Sequence, residues 1–411
     1  MNRLLGPEEY AYWLFEQRGA FNTVLAARLR GEIDGAALAT ALSRLGDRHP
    51  VLRSRVVQEG RVRFAPAENL EIPLRIVSRD GEDHWPALFQ EELSTPVPLL
   101  TGPLWRAALL PGEGTSDLLL SFSHLAADGG ASVMLLRDLL SLLSGASLPP
   151  RPEPPAFEEL VPPDAFGSPD GAEQLGAWWS RETTRRLAGW SAEQLAAHLP
   201  AVGPTRVHQQ LLPPEVTSAI VTRCRAEGTT VHGAACAAGL LALAEGEPDP
   251  TRCRHIVSLR ERVEPAFTDD PGLCVSQVTT THAAGGGAPF WDLARQVRAE
   301  LDSSLARGEP YDALLQSVRA VYTNTPPQEE PAALSVSNLG RVDLPPAIGP
   351  VAVETIRVAG SVRVDSPVLS LVTYRDRLSW MLNVPSTWAR AGEAAALSAE
   401  ALRRLRAACG T

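Results

Sequence analysis

Seven prolines (Pro149, Pro150, Pro152, Pro154, Pro155, Pro162 and Pro163) fall within the sixteen residues from Leu148 to Pro163, and Gly167, Pro169 and Gly171 follow. No helix interior or central strand tolerates that density, because proline lacks the amide donor and fixes φ. The stretch reads as an extended, stiff linker over the surface. It divides the chain into residues 1–148, a linker over 149–176, and residues 177–411. A chain of 411 residues also exceeds what one hydrophobic core normally serves.

Both parts mix helices and strands. In the first, helices are expected over Glu8–Gln17, from an Asp34 N-cap through Leu45, and over Trp85–Leu93. Strands are expected over Thr23–Arg30, Val51–Val57, Arg61–Phe64, Leu74–Val77, Pro103–Leu110 and Asp117–Phe122. In the second, helices are expected around Ala177–Leu187 and over Pro213–Ala226, Thr230–Ala244, Phe290–Ala306 and Glu393–Ala408. Its strands are Arg206–Leu212, His255–Leu259, Leu334–Ser337, Val351–Val358, Val368–Thr373 and Arg377–Val384. The irregular alternation points to α+β layers rather than a doubly wound sheet.

Composition removes many chemistries. All 38 basic residues are arginine, so there is no Schiff-base lysine, pyridoxal-phosphate anchor or Walker A lysine. A net charge of −10 argues against a nucleic-acid surface. Five scattered cysteines without a CxxC pair argue against disulfides and against a zinc site, and fit free thiols in a reducing compartment. No apolar run is long enough for a membrane span, and the first residues do not resemble a signal peptide, so the expected location is cytoplasmic. There is no GxSxG elbow, HExxH, GxGxxG or glycine-rich phosphate loop.

What stands out is Leu118–Gly130. An apolar strand reaches Ser123-His124, passes through Leu125-Ala126-Ala127, and meets Asp128-Gly129-Gly130 before a helical segment, Ala131–Leu143. A histidine at a strand–loop–helix junction suits a general base, being largely neutral near pH 7. Asp128 has two readings here: it orients the imidazole, or it holds the loop through a distant arginine while Gly129 lets the backbone pass close by. Of the other histidines, His49 precedes Pro50 in a turn, His232 opens an apolar helix, and His84, His198, His208, His255 and His282 have no nearby acid pattern; all are expected to be structural.

Ser123-His124-Leu125-Ala126-Ala127-Asp128-Gly129 resembles the HHxxxDG motif of condensation-domain-like acyltransferases, the superfamily of chloramphenicol acetyltransferase and the plant HxxxD enzymes. The supporting segments follow in that family's order: Leu45–Arg55, Pro103–Arg106, Val257-Ser258-Leu259-Arg260-Glu261-Arg262, and Ser335-Val336-Ser337-Asn338-Leu339-Gly340. The resemblance covers the full chain. In style it is nearest to stand-alone polyketide-associated and alcohol O-acyltransferases. Two positions depart from the pattern: Ser123 replaces the first histidine, and Ser258 stands where an aspartate is common.

The resemblance implies two chloramphenicol acetyltransferase-like subdomains in a V-shaped pseudo-dimer with a tunnel between them. It implies His124 as general base and Asp128 as a structural partner of an arginine, Arg260 first, Arg53 or Arg55 as alternatives. Gly129 belongs to the same structural set. Ser123, Ser337 and Asn338 are candidates for placing acceptor or oxyanion; for the last two a side-chain-to-backbone turn is the competing reading. The implied reaction is transfer of an acyl group from acyl-CoA or a phosphopantetheinyl thioester to a hydroxyl or amine of a polyketide, peptide or other specialised metabolite. No metal and no permanently bound cofactor are expected. The expected partners are a small-molecule acceptor and an acyl or peptidyl carrier protein, with no nucleic acid, around a monomer. The alternatives are a non-catalytic carrier-protein-binding protein, kept open by Ser123, and an intramolecular cyclase.

Overall fold

A computed structural model describes residues 1–166, 170–177, 197, 203–244, 251–323 and 332–411, apart from positions 60, 70, 82, 83, 286, 350 and 363–365. The helix expected around Ala177–Leu187 lies almost wholly outside the described residues, as does His198. The first half supplies β1 (Asn22–Arg30), β2 (Ser54–Glu59), β3 (Arg61–Pro66), β4 (Leu74–Ile76), β5 (Trp105–Pro111) and β6 (Thr115–Ser123). Its helices are α1 (Pro7–Glu16), α2 (Gly35–Arg48), α3 (His84–Ser94) and α4 (Gly129–Leu143). The short α5 (Gly171–Ala177) follows the proline-rich stretch.

The second half supplies β7 (Thr205–Leu212), β8 (Thr251–Ser258), β9 (Val275–His282), β10 (Leu334–Arg341), β11 (Ala347–Ile348), β12 (Val351–Gly360), β13 (Val368–Tyr374) and β14 (Arg377–Pro385). Its helices are α6 (Pro214–Ala226), α7 (Val231–Leu243), α8 (Phe290–Ala306), α9 (Glu309–Thr323) and α10 (Ala394–Cys409). The α+β expectation holds. Among the described residues, no helix is long and apolar enough to cross a membrane.

Among the described residues, two six-stranded sheets organise the molecule, in the orders β11-β12-β1-β6-β5-β4 and β7-β14-β13-β10-β8-β9; β2 and β3 form a separate hairpin. Residues 177–411 therefore do not make a self-contained layer: β11 and β12 leave the second half and join the first sheet. β12 pairs antiparallel with β1 from Thr23↔Gly360 to Arg30↔Ala352, and β1 pairs with β6 along its whole length. Such long-range pairing leaves no trace in local periodicity, which reports only that 351–358 is a strand. Side-chain alternation along β1 sends Leu25, Ala27 and Leu29 into a core that includes α2 and α4 residues, and Val24 and Ala26 into a smaller one with α3. β6 is buried on both faces, which is why its sequence is a continuous apolar run.

Three local expectations change. Val51 and Leu52 are not strand: Pro50 starts a 3₁₀ turn over Pro50–Arg53, and β2 begins only at Ser54. β9 and α9 lie where no element was expected. The proline-rich stretch is no free spacer, since Ala156, Phe157, Val161 and Phe166 are buried and Glu264 N–H donates to Leu160 O at 2.8 Å.

Candidate active site

β6 delivers His124. The last ladder pair is Asn22↔Ser123, after which the His124 amide donates to Phe21 O at 2.9 Å. The chain then turns, with the amides of Ala126 and Ala127 donating to Ser123 O, and Ala127 bridges to Gly272 from the second half. His124 is half-buried. Its ring sits edge-on to Tyr12 (centroids 4.9 Å apart, 70°) and tilted against Phe21 (5.1 Å). Nδ1 is buried and makes no hydrogen bond of ordinary geometry, the ring's weak polar contact being with its own backbone. The Nε2–Cδ2 edge of the ring lies beside Gly360 at the end of β12: a Cβ there would lie 3.8 Å from Nε2 and 3.9 Å from Cδ2. The glycine thus keeps the space beside Nε2 open.

Burial lowers the His124 pKa, and the charge of Asp128 opposes that only in part. The imidazole is neutral at physiological pH, the state a base requires. Burial and the charges of Glu8 and Asp128 hold the neighbouring Tyr12 phenol protonated.

Asp128 does not orient the imidazole. It caps α4, accepting at Oδ1 from the Ala131 amide at 2.8 Å. Its two oxygens also accept from Arg260, Oδ1 from Nε at 3.2 Å and Oδ2 from Nη2 at 2.9 Å, while Oδ2 accepts from the Cys274 amide at 3.0 Å. Arg260 spends its remaining donors on the carbonyls of Phe267, Asp270 and Gly272 and lies over the Phe267 ring. The bidentate pair is buried and joins the two halves directly behind the base. Of the three arginines considered, Arg260 is the partner; Arg53 pairs with Asp47 and Arg55 with Glu68.

Gly129 carries the packing. A Cβ on it would meet Leu339 Cδ2 at 2.9 Å, so the late Asn338-Leu339-Gly340 segment seats its leucine on the glycine of the first motif. Asn338 itself folds back, its Oδ1 accepting from the Gly340 amide at 2.9 Å, the turn reading of that residue. Ser337 is half-buried on β10, in register with Ile256 and Ser370. Among the described residues, neither Ser337 nor Asn338 hydrogen-bonds to His124.

Ser123 is also not where an acceptor-placing residue belongs. It is fully buried, its hydroxyl donates to Glu16 Oε1 at 2.7 Å and accepts from the Leu125 amide at 3.2 Å. That bond ties β6 to the end of α1. A residue facing out of β6 alternates with one facing in, so adjacent His124 and Ser123 point to different places. Sequence reasoning missed Tyr12, Phe21 and Gly360. Only Gly360 left a signal, as a lone glycine ending a strand.

The model of the phthiocerol/phthiodiolone dimycocerosyl transferase C-terminus matches residues 202–380. Curated relatives include a nonribosomal peptide synthetase from Curvularia clavata, 26% identical over 354 residues (78% of this chain), and phosphinothricin tripeptide synthetase from Streptomyces viridochromogenes, 28% identical over 340 residues (77%). These matches bear out the resemblance to the condensation-domain-like acyltransferase superfamily that the motifs carry. It spans only 3% and 31% of those two relatives' own lengths.

Solved structures of the superfamily share its fold from end to end. Polyketide synthase associated protein 5 from Mycobacterium tuberculosis is 20% identical with a TM-score of 0.70, covering 100% of this chain and 98% of that one. Trichothecene 15-O-acetyltransferase from Fusarium sporotrichioides is 14% identical with a TM-score of 0.74, covering 99% and 94%. The two-subdomain architecture expected from the motif order is the one observed.

Proposed function

We propose that the protein transfers an acyl group from a thioester to a hydroxyl or amine of a small specialised metabolite, with His124 as the general base. The observation that carries this reading is the placing of a neutral His124 at the end of β6, the Nε2 edge of its ring beside Gly360, where the two halves meet.

In this reading the acceptor's O–H or N–H donates to Nε2. As the acceptor atom attacks the thioester carbonyl, the proton passes to the imidazole and the carbonyl electrons move onto its oxygen. Collapse expels the thiolate, which recovers the proton from His124. The imidazole is regenerated, and neither a covalent acyl-enzyme nor a metal takes part. Base catalysis of this kind contributes on the order of 10²–10⁴ in rate, and positioning two substrates against one nitrogen supplies the larger remainder. The donor thiol is coenzyme A or a carrier-protein phosphopantetheine, neither held as a resident group. The reading is of a cytoplasmic monomer that meets a carrier protein only transiently.

The test is thiol release from an acyl thioester in the presence of candidate acceptors. Acceptor-dependent release that disappears in a folded His124→Ala variant supports the transferase. Binding of thioester or carrier protein without release supports the non-catalytic alternative, and release yielding a ring from a tethered chain supports the cyclase. Near-normal turnover by His124→Ala overturns the assignment of the base.

A further inference from the structure

The second core holds a polar constellation that the acyl-transfer chemistry does not use. α7 is apolar nearly all round, yet its first turns carry His232 and Cys236, one helical turn apart on the face over β8. β8 answers with Cys253 and His255, two residues apart and so on one face of the strand. His232 Nε2 lies 2.8 Å from His255 Nδ1, and Cys236 Sγ lies 3.8 Å from the same Nδ1. All three candidate atoms fall within 4.8 Å of one another, and the Cys253 thiol contacts that of Cys236.

Hydrogen bonds continue from His255 on the side away from the cluster. Thr280 Oγ1 lies 2.7 Å from His255 Nε2 and 2.6 Å from His282 Nε2, so one hydroxyl bridges the two rings. His255 Nδ1, on the opposite side of its ring, faces His232 and Cys236. An imidazole whose far nitrogen is hydrogen-bonded to a polar side chain is the outer-shell arrangement of metal-bound histidine.

We propose that His232 Nε2, Cys236 Sγ and His255 Nδ1 bind a thiophilic divalent ion of the zinc class, with Cys253 closing the coordination sphere. Zn–N bonds of about 2.0 Å and Zn–S bonds of about 2.3 Å in tetrahedral array put nitrogens about 3.3 Å apart and sulfur about 3.5 Å from nitrogen. The two rings have to part by about half an ångström and the Cys236 thiol to close on His255 by less, while the Cys253 thiol, which touches Cys236 but lies outside the mutually close set, has to swing in by a rotamer change. Two thiolates neutralise the ion, as a buried site requires. His232 is half-buried and gives the ion its way in. Bound there, the metal pins α7 to β8 and, through Thr280, to β9. The scattered cysteine spacing that argues against zinc hides this site, because its ligands come from a helix and a strand rather than from one knuckle.

The test uses the full chain, stripped with a chelator under reducing conditions and titrated with Co²⁺. The expected result is one Co²⁺ per chain with thiolate-to-cobalt charge-transfer absorption, displaced by Zn²⁺ with a rise in Tm. Cys236→Ser should remove most of that absorption and weaken Zn²⁺ binding at least tenfold, whereas Cys409→Ser should leave both unchanged. His232→Asn, at the half-buried ligand, serves if Cys236→Ser does not fold, and should weaken Zn²⁺ binding to the same degree. Cys253→Ser should roughly halve the absorption; if it does not, its part in the site is overturned. A folded wild-type chain that shows no charge-transfer band, or a band that survives both Cys236→Ser and His232→Asn, overturns the site.

Discussion

Arg260 meets Asp128 edge to edge, Nε to Oδ1 and Nη2 to Oδ2, across the boundary between the two halves. Both side chains are buried, so the pair cannot be halved without leaving a charge unanswered. Asp128→Ala is expected to cost about 3–5 kcal/mol in urea unfolding. Arg260→Met should cost a similar amount, and the double variant less than the sum of the two. Full additivity in that cycle would show that the two residues do not act as a pair.

His124 sets the acidic limb of activity. Burial depresses its pKa, so the base form persists on acidification past the ordinary imidazole value of about 6.5. The kcat/KM profile should therefore stay level from neutral pH through about 6.5 and fall only below it. The same sign applies to stability: the unfolded chain binds the proton first, so this histidine's contribution declines as pH drops below the unfolded value. A limb centred above the ordinary imidazole value would assign the titration to another group.

The Gly129–Leu339 contact predicts a compensating pair. Gly129→Ala pushes a methyl against Leu339 Cδ2 and should destabilise by about 1–3 kcal/mol. Adding Leu339→Ala should recover part of that loss, although Leu339→Ala alone destabilises. Melting curves of the four chains decide the matter; no recovery would mean that the backbone, not the leucine, limits the site.

Ser123→Ala separates the two neighbours in the motif. It removes the hydroxyl that binds Glu16 and the Leu125 amide, and should cost about 1–2 kcal/mol of stability while leaving kcat/KM within a few-fold. Loss of turnover in a stable Ser123→Ala protein would return the serine to the reacting centre.

The sequence made His124 legible because an apolar run that is buried on both faces ends abruptly in a polar residue. α4 was legible too, since Asp128 is its N-cap and Leu135, Leu136, Leu139 and Leu140 follow at helical spacing. Arg260 came from motif resemblance alone, as no local pattern links residues 128 and 260. β9 escaped because Ser276, Gln277 and three threonines dilute the apolar alternation on which strand reading depends. α9 escaped because Pro310 near its start reads as a break, although proline in a first helical turn is tolerated. Tyr12 and Phe21 reach His124 through tertiary packing, and the histidine–cysteine cluster assembles from a helix and a strand. None of these has a one-dimensional signature.

β12 lies between β11 and β1, so the chain passes from the second half into the first sheet and back again. The halves are threaded through one another rather than strung on a single tether. A protease cut in the proline-rich stretch would give two pieces that co-purify. Residues 1–166 made alone would present the whole length of β1 as an unpaired edge, open to pairing with other copies and prone to precipitate. Adding the missing strand in trans, as a peptide spanning 345–362, should then rescue solubility, making this protein a candidate for fragment complementation.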